Sequence, residues 1–152
     1  FFIASRAELH LPKLKLNFNE PFICFKEIRS DKDGGKELTP YMFKLWDSKL
    51  HHEFNFYQVT ERLKGKRSLF NYYMVRNHTV LRTIMANGGD PNIILHDKPR
   101  YINLKEITLA SSFPGDYKFK NSRHGIYCMG MSVPPLMIYK ISLEIASQCL
   151  TL

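Results

Sequence analysis

Two adjacent prolines, Pro134 and Pro135, constrain this chain more than any other feature. They sit in the stretch Gly130-Met131-Ser132-Val133-Pro134-Pro135, which leads into the apolar run Leu136-Met137-Ile138-Tyr139-Lys140-Ile141. Proline has no backbone N–H and holds φ near −65°, so it suits the first turn of a helix and is excluded from helix interiors and central strands. A helix is therefore expected to start at Pro134 or Pro135. Ile138, Ile141, Ile145 and Cys149 recur on one stripe, which predicts that it runs to about residue 150 with that stripe buried. The glycine and small polar residue ahead of the prolines predict a tight loop feeding the helix.

Upstream, the pattern is mixed. Residues 1–5 read as a strand, and Pro12 and Pro21 bracket the alternation of Leu14, Leu16 and Phe18. Residues 22–28 alternate again, and residues 30–36 form a polar turn. Thr39-Pro40 is a helix start, with a capping hydroxyl followed by proline at the first helical position. Met42, Phe43, Trp46, Leu50 and Phe54 extend that helix to about residue 54 as a core stripe. After Gly65 the pattern turns to strand at Leu69, Tyr73 and Val75 and again over 80–85. The turn Asn87-Gly88-Gly89-Asp90-Pro91 then precedes Ile93-Ile94-Leu95, and a helix over 104–111 ends at Ser112-Phe113-Pro114-Gly115. There is no internal repeat. The expected class is mixed α+β, with a sheet-like middle and a helical end.

Charge locates the first candidate site. The net charge is +8, and residues 62–89 hold six basic side chains (Arg62, Lys64, Lys66, Arg67, Arg76, Arg82) and no acidic one. Such a block is either a solvated face or a phosphate-binding surface. Its interleaving with Phe70, Tyr72, Tyr73, Asn77, His78 and Thr79 suits the second. Three cysteines at wide spacing, Cys24, Cys128 and Cys149, form neither a disulfide framework nor a zinc motif and are expected as buried filler. The six histidines have no metal-ligand spacing, so no metal site is expected. No uninterrupted apolar run approaches the roughly 20 residues of a bilayer crossing, so an intracellular chain without a membrane partner is expected. Because it opens on Phe1-Phe2-Ile3-Ala4 without methionine, it is expected to be part of a longer protein.

Three blocks in order resemble the C-terminal part of the DNA cytosine-5 methyltransferases. Arg82-Thr83-Ile84-Met85-Ala86-Asn87-Gly88-Gly89 is similar to that family's threonine-to-glycine DNA recognition loop. The run from Arg100-Tyr101-Ile102-Asn103-Leu104-Lys105-Glu106 through Phe113-Pro114-Gly115-Asp116-Tyr117-Lys118-Phe119 resembles the penultimate motif, RxLTxREAARLQxFPDxYxF. Gly130-Met131-Ser132-Val133-Pro134-Pro135 resembles the final motif, whose commonest form has asparagine where Met131 stands. Phe1-Phe2-Ile3-Ala4-Ser5-Arg6 fits the end of an earlier family motif. Asn103 and Lys105 replace threonine and arginine, and Leu109 replaces a second arginine, which places the chain in a divergent, phage-like branch.

The resemblance implies a domain division and a set of roles. Residues 1–10 would end a catalytic-domain strand, and 11–99 would form a small β-rich target recognition domain. Residues 100–152 would carry the last two motifs and the helices that complete a Rossmann-like methyltransferase domain. Lys64, Lys66, Arg67, Arg76, Arg82, Thr83, Asn87, Gly88 and Gly89 would meet duplex DNA. Gly130, Met131 and Ser132 would border the S-adenosylmethionine site. The family's nucleophile lies in a Pro-Cys pair, its carboxylate in Glu-Asn-Val and its cofactor loop in FxGxG, and none of these occurs here. No catalytic residue is therefore assigned. The catalytic half is expected on an N-terminal domain or separate subunit, in a cytoplasmic, prokaryotic or phage-encoded setting. The alternative is a non-enzymatic basic module that binds DNA or RNA.

Overall fold

A computed structural model describes residues 5–86 and 91–150. The expected N-terminal strand, apart from Ser5, and the glycine turn at 87–90 lie outside the described residues. At the centre are two short strands, β1 (Tyr73–Val75) and β2 (Ile93–Leu95), paired in parallel with Tyr73 opposite Ile93 and Val75 opposite Leu95. All six residues are buried, which accounts for their reading as continuous apolar runs. Side chains alternate across a strand, so the six divide between two cores. Tyr73, Val75, Ile93 and Leu95 join Phe25, Ile102, Ile107, Ile126 and Met129. Met74 and Ile94 join Met42, Leu45, Phe56, Val59 and Tyr101.

The sheet is thus a middle layer. The first core brings in α1 (Phe25–Ile28), α4 (Leu104–Ala110) and α5 (Ser122–Met131). The second brings in α2 (Pro40–Asp47) and α3 (Phe56–Lys64). The last helix, α6 (Pro135–Ile145), continues into a wider π turn, Ala146–Leu150. The mixed α+β class is as expected. The β-rich middle is corrected: among the described residues, β1 and β2 are the named strands, and three helices precede them.

Local chemistry explains most helix starts. The Thr39 hydroxyl accepts from the Met42 N–H at 3.3 Å, with Pro40 in the first turn. The Asn121 side chain accepts from His124 N–H at 2.9 Å to open α5, a helix not anticipated from the sequence. At the start of α6, the Leu136 N–H is taken by Ser112 Oγ at 3.0 Å, linking the two final motifs.

Tertiary pairing overrides the sequence pattern elsewhere. Helix α2 stops at Asp47, short of Phe54, because the chain at Asn55 lies extended and bridges to Tyr73 of β1 before α3 begins. Met74 N–H donates to Phe54 O at 2.6 Å and Phe56 N–H to Tyr72 O at 3.1 Å. Phe43 and Leu50 consequently remain exposed, and Met42 and Leu45 form the core face. The alternating run 22–28 bends into α1, whose first N–H groups find Thr79 O and Asn77 O, each at 2.9 Å. Leu14, Leu16 and Phe18 form no strand; their segment is tied to the C-terminal π turn through two bonds between Lys15 and Gln148. Residues 80–86 are irregular, with Leu81 and Ile84 packed on the first core. Of the predicted stripe on α6 only Ile141 is buried; Ile138 is exposed, and Ile145 and Cys149 are partly covered. Cys24 and Cys128 are likewise half-buried and do not act as core filler.

The stretch Ser122–Leu150 is long and apolar enough, by length and composition, to be a membrane span. Ser132 is extended, and the chain from it to Pro134 divides that stretch into α5 and α6.

One polar group organises the interior. Glu106 is fully buried and accepts both Arg100 guanidinium nitrogens at 2.9 and 2.7 Å, the Asn103 N–H at 2.9 Å and the Ser30 N–H at 3.0 Å. Asn103 Oδ1 returns a bond from Glu106 N–H at 2.9 Å, closing a capping box at the head of α4. Removing one partner from a buried pair of this kind leaves a stranded charge and costs about 3–5 kcal/mol. Arg100→Ala is expected to lower unfolding free energy by about that amount in a denaturant titration.

Just outside, Asp31 accepts from Lys98 Nζ at 2.7 Å, Arg100 Nη2 at 2.9 Å and Arg29 Nε at 3.1 Å. The Lys98 and Arg100 bonds hold its carboxyl well below the usual aspartate range. A depressed folded-state pKa stabilises the fold above the ordinary value of about 4 and loses that contribution as pH falls through the folded value. Denaturation midpoints should fall on acidification from about pH 5, and Asp31→Asn should make that fall shallower.

Candidate nucleic-acid interface

A parallel pair needs a long crossover, and here residues 76–92 supply it. Arg76 leaves the end of β1. Its guanidinium lies 4.3 Å over the Phe54 ring, with Nη2 3.4 Å from His96 Nε2. Burial, then the neighbouring Arg76, Lys49 and His51, hold the His96 imidazole below its ordinary pKa, which favours the neutral ring beside these cations.

Further along, Arg82 is anchored twice. Its backbone N–H donates to Tyr73 Oη at 2.7 Å, and its guanidinium reaches Asn55 Oδ1 at 3.2 Å while lying 5.0 Å from the Tyr73 ring. Burial pushes the Tyr73 phenol up to about 12, so it stays a neutral acceptor for that N–H. Thr83 follows, exposed.

Arg82 and Thr83 border a cleft of about 680 Å³ whose walls include Asn55, Phe70, Asn71 and Asn92. Three amides, a guanidinium and a hydroxyl give it both donors and acceptors, and Phe70 adds an exposed aromatic face. That mixture suits base edges and phosphate oxygens. Asn55 and Asn71 are not evident from the sequence as site residues. Asn55 stands at the start of α3, and only folding carries it to the crossover.

The rest of the basic block sits apart from this cleft, around α3. Arg62 is structural: its guanidinium chelates the buried Glu53 carboxylate with two bonds of 2.9 Å and donates to Ser48 O at 2.6 Å. Lys64 lies over the Tyr41 ring and donates to its hydroxyl at 3.1 Å. Gly65, at φ 64°, turns the chain out of α3 in the left-handed region. Lys66 is exposed beyond it, and Arg67 pairs with Glu61 at 2.9 Å while approaching the Tyr57 ring. Asn87, Gly88 and Gly89 lie outside the described residues.

Gly130 and Met131 form the last turn of α5, and only Ser132 is extended, so the expected loop is shorter than its sequence suggests. None of the three lines a described cleft. Gly130 is pressed against the backbone at Ala86, Ser132 Oγ donates to Met129 O at 3.0 Å, and the Met131 side chain projects to solvent. These residues do not by themselves build a pocket that fits S-adenosylmethionine, and no step of methyl transfer is assigned to them.

The crossover with its polar cleft and the Glu106-centred capping box coincide with the two longer motif blocks. Searches of curated proteins and of solved structures found no match. A family model described as C-5 cytosine-specific DNA methylase matches residues 5–147, nearly the whole chain. The chain therefore belongs to the C-5 cytosine-specific DNA methylase family.

Proposed function

We propose that this chain is the target-recognition and cofactor-site-closing segment of a DNA (cytosine-5-)-methyltransferase. Such an enzyme transfers a methyl group from S-adenosylmethionine to C5 of cytosine in duplex DNA. The observation that carries the reading is the cleft holding Arg82 and Thr83 among three amides, within a chain that matches the family over 5–147. Arg82 and Thr83 meet the DNA, with Asn55 and Asn71 beside them, while Lys64, Lys66, Arg67 and Arg76 neutralise phosphates farther along the duplex, away from that cleft. The target base leaves the duplex to reach groups that this chain lacks.

In this proposal residues 11–99 do the recognition, and 100–152, with residues 1–10, dock on a catalytic domain that supplies the Pro-Cys, Glu-Asn-Val and FxGxG elements. The exposed Leu136, Ile138, Tyr139 and Leu143 of α6 suit burial against such a domain. The S-adenosylmethionine pocket is then walled mainly by that domain. A non-enzymatic basic module for DNA or RNA is the competing reading, favoured by the same missing motifs. Finding those three motifs in the same gene or an adjacent one decides for the enzyme.

The purified 152-residue chain, given labelled S-adenosylmethionine and duplex DNA, should incorporate no methyl groups; clear incorporation would sink the assignment. In the complete enzyme, Lys66→Ala with Arg67→Ala should weaken DNA binding. It should also reduce the slope of log K against log salt by about 2, since each lost phosphate contact removes roughly 0.9. An unchanged slope would remove these two residues from the interface.

A further inference from the structure

Gly130 is half-buried in the last turn of α5, and the space a side chain would need there is occupied. A Cβ at this position would stand 2.4 Å from Ala86 N, 2.7 Å from Ala86 Cα and 2.7 Å from Met85 C. All three are backbone atoms, so no rotamer change relieves the clash. Gly125 on the same helix differs: its Cβ would meet the Leu104 and Phe119 side chains, at 2.8 and 3.0 Å. Gly115 is open, with nothing within 4 Å.

The backbone that Gly130 admits follows closely on Arg82-Thr83 in the chain. The same helix holds that segment a second way, since Ile84 packs on the core containing Ile126 and Met129 of α5. We infer that Gly130 is a positioning residue for DNA recognition: its missing Cβ seats Met85 and Ala86 against α5, and so sets where Arg82 and Thr83 meet the duplex. The final motif thus acts on the DNA side of the enzyme through its glycine. This rests on the reading that Arg82 and Thr83 face DNA.

The test uses the complete methyltransferase with Gly130→Ala, and with Ile84→Ala as a second variant that loosens the same segment without a clash. Gly125→Ala and Gly115→Ala are controls. Three quantities are read: amide hydrogen exchange over residues 81–86, S-adenosylmethionine affinity, and methylation of a duplex library randomised around one cytosine. Gly130→Ala and Ile84→Ala should speed exchange over 81–86, weaken DNA binding about tenfold or more, as overpacking or lost packing implies, and flatten the sequence preference. S-adenosylmethionine affinity should stay within about twofold by the same argument. Gly125→Ala should lower thermal stability without flattening the preference, and Gly115→Ala should change neither.

Unchanged exchange over 81–86 in both variants would overturn the contact itself. Faster exchange with DNA binding and preference intact would overturn the inference through the reading it rests on. Loss of S-adenosylmethionine affinity with preference intact would return Gly130 to the cofactor site.

Discussion

The structure depends on a carboxylate sealed from solvent. Glu106 would be costly to bury as a bare charge, so its surroundings are built to supply four donors from two separate stretches of chain, at Ser30 and at Arg100–Asn103. Satisfying it draws Ser30, Arg100 and Asn103 to one point and sets the path of residues 100–102. That segment then runs antiparallel beside β2, with Leu95 N–H bonded to Arg100 O and Ile102 N–H to Ile93 O, both at 3.0 Å. Tyr101 N–H also takes Lys36 O at 2.9 Å, so the chain before α2 is held to the same edge. A buried ion pair of this kind serves register more than net stability, because a well-packed apolar substitute can equal it energetically.

With β2 fixed in that way, the parallel pairing of β1 has a second consequence. The connection between the strands must travel the length of the sheet and return, and among its described residues no helix makes the journey. Several of its described residues are held from outside. Helix α1 donates to Asn77 O and Thr79 O, Tyr73 accepts from Arg82, and the glycine face of α5 receives Met85 and Ala86. An irregular segment held at several points by a rigid scaffold presents polar groups in defined places without regular secondary structure of its own.

Features with a local cause were legible in the sequence. Thr39-Pro40 and the head of α4 each start a helix through bonds made within one turn, and the proline pair does so through its fixed φ, so three or four residues of sequence hold the information. The fully apolar runs in β1 and β2 were equally readable. Helix α5 was hidden by Gly125 and Gly130, whose low helix propensity is offset by close packing on α4 and the crossover. The start of α3 had a signal in Asn55 and Gln58, whose side chain accepts from Asn55 N–H at 2.9 Å, but the apolar spacing through Phe54 masked it. In the site, Arg82 and Thr83 were visible as a motif. Asn55 and Asn71 were not, because each joins them across a fold.

The sequence by itself determined family membership, the starts of α2, α4 and α6 and the concentration of positive charge between residues 62 and 89, since each depends on residue identity and short spacing. Tertiary structure alone decided which of those charges are available. It diverted Arg62 to a buried glutamate and joined Arg82 to distant amides. It also turned Gly130 toward the recognition segment. The reason is physical: availability of a charge and admission of a backbone are set by what packs within a few ångströms, and those neighbours lie outside the local turn, nine residues away for Arg62 and 27 for Arg82.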